Sequence, residues 1–98
     1  MKIGQDTKQP QEVDDKDVDF GDWMPAGDGL DWVETEVRLL SGPDTDPLTV
    51  DKTENTPTLS KVWLSGGADG ARYRVQVRAI TLLGRVKEAE FDISVKEV

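Results

Sequence analysis

Two alternating runs joined by a short turn constrain this chain more than any other feature. In Arg72-Tyr73-Arg74-Val75-Gln76-Val77-Arg78-Ala79, Tyr73, Val75, Val77 and Ala79 point one way while three arginines and Gln76 point the other. That is the period of a β-strand with one face on a core. After Ile80-Thr81-Leu82-Leu83-Gly84-Arg85, the run Ala89-Glu90-Phe91-Asp92-Ile93-Ser94-Val95-Lys96 repeats the form with acids on its outer face. The two runs therefore predict an antiparallel hairpin with Val75, Val77, Phe91 and Ile93 inside. Facing residue numbers that sum to 166 set Arg78 against Glu88, Arg74 against Asp92 and Val75 beside Phe91. A sum of 168 sets Arg78 against Glu90 and suits the same faces. An odd sum is excluded, because a one-residue slip would oppose core residues to solvent residues.

Earlier segments carry the same strand chemistry more weakly. Trp32 to Leu40 places Val33, Thr35, Val37 and Leu39 on one face and Glu34, Glu36 and Arg38 on the other, and Ser41-Gly42-Pro43-Asp44 ends it. Pro47 and Pro57 bracket a stretch of low apolar content, which suits a short edge strand. Lys61-Val62-Trp63-Leu64 reads as a brief apolar strand in which Trp63 belongs partly to the core. The glycines of Ser65-Gly66-Gly67-Ala68-Asp69-Gly70 then permit a sharp reversal. Val18-Asp19-Phe20 supplies a short first strand, followed by the turn-rich Met24 to Gly29. With six or seven short strands and no helical period, the expected fold is all-β, a small antiparallel sandwich.

Charge separates the two ends of the chain. Residues 1–31 hold three lysines against nine acids, a net −6, and the remainder nine basic and eleven acidic residues, a net −2. Up to Asp17 the aliphatic residues Met1, Ile3 and Val13 follow neither a 2 nor a 3.6 period. Residues 1–17 are therefore expected to form a disordered acidic arm whose removal leaves the fold intact, and residues 18–98 the sandwich. A net charge of −8 without clustered Lys and Arg excludes affinity for nucleic-acid phosphates or anionic lipid. No apolar run approaches the roughly 18 residues of a membrane span. MKIGQDTKQPQE also lacks the apolar stretch of a signal peptide, which leads us to expect folding in the cytoplasm.

The chain contains no cysteine and no histidine, so disulfides, thiolate zinc sites and imidazole catalysis are absent. Glu34, Glu36, Glu90 and Asp92 fall on solvent faces, which suits a solvated sheet rather than a catalytic carboxylate pair. An EF-hand loop starting at Asp15 would need Gly where Phe20 stands and Glu where Ala26 stands. No catalytic, metal-binding or cofactor-binding residue is therefore expected, and the functional candidates are contact residues. Trp32 opens its strand on the face opposite Val33, and Trp23 stands at the junction of arm and body, over one end of the sandwich or against a partner. Gly66, Gly67, Asp69 and Gly70 form a loop tip expected to supply further contacts.

The segment Gly70 to Ala79, followed by Gly84, resembles the late part of a fibronectin type III or immunoglobulin-like domain. The resemblance implies that the Tyr73 ring joins the core while its hydroxyl bonds backbone near the preceding corner. A wider stretch, Val62-Trp63-Leu64-Ser65-Gly66-Gly67 with Gly70, Tyr73, Val75, Thr81, Gly84-Arg85, Phe91, Ile93, Val95 and Glu97, resembles small virion structural proteins of tailed phages and prophages, of the fibre–tail adaptor type. This implies a non-enzymatic structural or adaptor protein of the particle, assembled in the host cytoplasm and contacting tail or connector proteins, with a homo-oligomer among the arrangements allowed. The second reading, from the first resemblance, is a fibronectin-like binding module of a bacterial surface or secreted protein.

Overall fold

The computed structural model describes residues 2–97. Seven strands run in chain order: β1 (Lys2–Lys8), β2 (Asp14–Asp19), β3 (Leu30–Ser41), β4 (Thr49–Asn55), β5 (Leu59–Ser65), β6 (Arg72–Thr81) and β7 (Val86–Val95). They form a four-stranded sheet in the order β1-β7-β6-β3 and a three-stranded sheet in the order β2-β5-β4. The two sheets share one core. Val62 and Leu64 enter it from one side, Tyr73, Val75, Val77, Phe91, Ile93 and Val95 from the other, and Val18, Phe20 and Leu48 complete it. The result is the expected all-β sandwich.

The hairpin of β6 and β7 adopts the 166 register, with Arg78 opposite Glu88, Arg74 opposite Asp92 and Val75 opposite Phe91. β3 adds antiparallel to the other edge of β6, pairing Glu34 with Arg78 and Val37 with Val75. Its residues 33, 35, 37 and 39 face inward as the alternation requires. The proline-bracketed β4 is an edge strand of the smaller sheet.

The N-terminal segment departs from the sequence expectation. Met1 lies outside the described residues, but Lys2–Lys8 pairs with β7 and Asp14–Asp19 pairs antiparallel with β5, so β2 runs across the expected boundary at residue 18. The β1–β7 pairing is parallel, in a sandwich otherwise built of antiparallel pairs. The reason lies in what holds β1. Six of its seven residues are exposed and only Lys8 is buried, so it joins the sheet through backbone hydrogen bonds and leaves no apolar period to read.

Lys8 is 1% exposed, and its ammonium group donates to the carbonyls of Gln9 at 2.8 Å and Gly66 at 2.6 Å. Burial pushes its pKa down, while the nearby charges of Glu12, Asp46 and Asp14 oppose that shift. Two residues earlier on the same face of the strand, Asp6 pairs with Lys16 of β2, which also pairs with Asp14. Acid–base pairs thus tie together elements that the charge count alone marks as a free arm.

Candidate protein-contact surfaces

The outward face of the four-stranded sheet is organised in rows across the strands. Glu34, Arg78 and Glu88 share one row, and Arg38, Arg74 and Asp92 another. Opposite charges face each other at Glu34–Arg78, Arg78–Glu88 and Arg74–Asp92, whereas Arg38 stands opposite another arginine, Arg74. Asp92 is the focus. It points to the outer side yet is 0% exposed, because Lys2 at 3.0 Å, Arg72 at 3.0 Å and Arg74 at 2.9 Å close over its carboxylate. The Arg74 hydrogen bond and the Lys2 pair outweigh the opposing effect of burial and hold this carboxyl far below the usual carboxylate range.

The row nearest the β6–β7 turn is different in kind. It consists of Trp32, Ile80 and Val86, one from each of three strands. Trp32 and Val86 are each 48% exposed, and the turn just beyond presents Leu82 and Leu83 at 66% and 67%. Among the described residues these are four of the six large exposed hydrophobics, so the exposed apolar surface is concentrated at one end.

That end is rigidly framed. Leu82 N–H donates to the Gly29 carbonyl, Leu30 N–H to the Pro57 carbonyl and Phe20 N–H to the Thr58 carbonyl, linking three turns. Asp28 fastens the frame: its Oδ1 accepts from the backbone N–H groups of Gly29 and Leu83, and its Oδ2 lies 2.8 Å from Arg85. Burial pushes the Asp28 carboxyl up, but hydrogen bonds from Thr81, Arg85, Gly29 and Leu83 prevail and hold it at about 2.

The opposite end is glycine-rich and polar. The Gly66 to Gly70 loop does not stand free. Gly67 is buried, with a positive φ of 100°, and a Cβ there would come within 2.7 Å of Val95. Gly66, at φ 74°, packs on the Pro47 carbonyl, which a Cβ would meet at 2.6 Å. These two glycines serve close packing, and Asp69 and Gly70 are the exposed members of the group. The Asp69 carboxylate accepts a hydrogen bond from Glu97 N–H at 2.9 Å. Beneath the loop the Tyr73 hydroxyl accepts from Ala68 N–H at 3.2 Å, the corner contact expected for this tyrosine.

The three tryptophans divide. Trp32 points outward, as its place opposite Val33 requires. Trp23 is half-buried, packs edge-on against Phe20 with ring centroids 6.4 Å apart, and lies under the Lys87 ammonium at 5.8 Å. Trp63, expected to belong partly to the core, is half-buried but lies outside the core cluster. Val62 and Leu64 on either side both face inward, so alternation turns Trp63 outward, where Lys52 covers its ring at 5.1 Å and Glu54 accepts its indole N–H. Of the expected contact residues, only Trp32 joins the exposed apolar end. Leu82, Leu83 and Val86 had no strand-face signal of their own, although two adjacent leucines in a predicted turn were visible as an anomaly.

Among the described residues no group of three or more Asp or Glu is placed to hold a metal ion. Asp15 and Asp17, the acids that suggested a calcium loop, both pair with Lys61 of β5. With the geometry in place, comparison with protein families is decisive: residues 8–94 match the model described as "Podophage GP4 fiber-tail adaptor protein gp77". The chain belongs to that family. The match takes in β2 to β6 entire and β7 up to Ser94, and so covers all of the core but Val95. No curated protein matches the chain.

Proposed function

We propose that this podophage structural adaptor joins a tail component to a fibre component through protein–protein contacts alone, and that it is assembled into the particle in the host cytoplasm. The observation that carries the reading is the family match across residues 8–94. The shape supports it: the body measures 44 × 20 × 17 Å, and the ten residues of β6 separate its two ends by about 30 Å at the rise of an extended strand. One end is apolar and framed by Asp28; the other is polar and carries exposed Asp44, Asp46 and Asp69. Ends of different chemistry suit two different partners, as joining requires.

The test mixes the purified chain with the purified tail and fibre proteins of the same phage and follows complexes by sedimentation. A ternary complex that neither partner forms without the chain is the expected result. Direct tail–fibre association that proceeds equally well without it would overturn the proposal.

A further inference from the structure

We propose that the apolar end carrying Leu82, Leu83, Trp32 and Val86 is a preformed docking surface for one non-identical protein partner, whose matching surface is apolar at its centre and basic at its rim. This rests on the adaptor reading and adds to it the surface and the chemistry of the partner.

Three observations carry it. Exposed leucines at a hairpin turn would ordinarily be a liability, since contiguous exposed apolar surface favours non-specific association. Here the turn is fixed in place. Asp28 holds Leu83 N–H and Arg85, and the Gly29 carbonyl holds Leu82 N–H. A partner that docks on Leu82 and Leu83 therefore meets a surface with little ordering entropy left to lose. The second observation is the row of Trp32, Ile80 and Val86, which extends the leucine pair across three strands and includes a large aromatic of the type that dominates contact energetics.

Charge identifies the occupant. The row behind the apolar one reads Glu34, Arg78, Glu88, and Asp22 and Asp31 are exposed at the same end. The cations nearby are Arg85, paired with Asp28, Arg78, 3.9 Å from Glu34, and Lys87, over the Trp23 ring, and these three stand against the five acids Asp22, Asp28, Asp31, Glu34 and Glu88. The rim therefore presents negative potential. Two copies of a chain of net charge −8 repel when they approach through it, whereas a surface rimmed by Lys and Arg is attracted.

The experiment uses the full chain with Leu82→Asp and Leu83→Asp together, titrated separately against the purified tail and fibre proteins. Both leucines are two-thirds exposed, so the thermal midpoint should not change. Affinity for one of the two proteins should fall at least tenfold, with the other unaffected, and wild-type binding to the first should weaken as salt is raised. If the double variant loses stability, Trp32→Gln takes its place with the same expectation. Unchanged binding to both partners by a stable variant overturns the surface while leaving the adaptor reading intact. A wild-type chain that binds neither protein removes the adaptor reading and this surface with it. A wild-type dimer abolished by the double substitution would replace the basic partner by a second copy.

Discussion

Lys2 Nζ on β1 lies 3.0 Å from Asp92 Oδ2 on β7, so the first residue of the first strand is held by a carboxylate with no solvent exposure. The same carboxylate takes Arg72 and Arg74 from β6. One acid thereby connects three adjacent strands of the larger sheet.

Replacing Asp92 with Ala leaves three cations facing one another. Two of them are more than 40% exposed and therefore screened, so the expected loss is about 1–2 kcal/mol rather than that of a fully buried pair. Amide exchange should show β1 opening first, and unchanged protection of residues 2–8 would contradict the role assigned to Asp92.

Deletion of residues 1–8 should destabilise the domain, because it removes β1, uncovers the edge of β7 and takes away the Lys8 ammonium that satisfies the Gly66 and Gln9 carbonyls. The single change Lys8→Ala should cost about 2 kcal/mol through those unpaired carbonyls and the lost packing of its stem. Urea midpoints of the two variants decide the matter; a truncated chain as stable as the full one would return this segment to the status of a free arm.

Asp28 sets a pH dependence. Its folded pKa of about 2 lies below its unfolded value of 3.8, so the stability it contributes is complete above pH 4 and disappears as pH falls through 2. Asp28→Asn should flatten the stability profile between pH 4 and pH 2 and loosen the turn bearing Leu82 and Leu83. Parallel acid titrations of wild type and variant, followed by thermal midpoint, measure the difference.

Tyr73→Phe should destabilise by about 1 kcal/mol, since Ala68 N–H loses its acceptor inside the fold. Val77→Asp should prevent folding, because Val77 is 0% exposed and a carboxylate there would have no charge partner among Val75, Ala79 and Ala89. Circular dichroism at neutral pH distinguishes the two outcomes: a shifted midpoint for the first, no transition for the second.

The sequence by itself determined the elements that bury one face. Tyr73, Val75 and Val77, with Phe91 and Ile93, alternate with charged residues, and that period fixes the strands and an even register, while the structure selects the sum of 166, in which Arg74 meets Asp92, over 168. The donor to the Tyr73 hydroxyl, Ala68 N–H, lies in the glycine-rich corner where the resemblance implied a backbone partner. Tertiary structure alone decided β1, because a strand that buries only Lys8 binds through its backbone and its side chains carry no period. It also turned Trp63 outward: local hydrophobicity favours the core, but Val62 and Leu64 occupy both inward positions beside it. The apolar end was likewise a tertiary outcome. Trp32, Ile80 and Val86 are far apart or on separate strands in the chain, and only the pairing of β3, β6 and β7 sets them side by side next to Leu82 and Leu83. Periodicity reports which face of a strand is buried, whereas the neighbour across a sheet is chosen by backbone hydrogen bonding that leaves no mark on side-chain order.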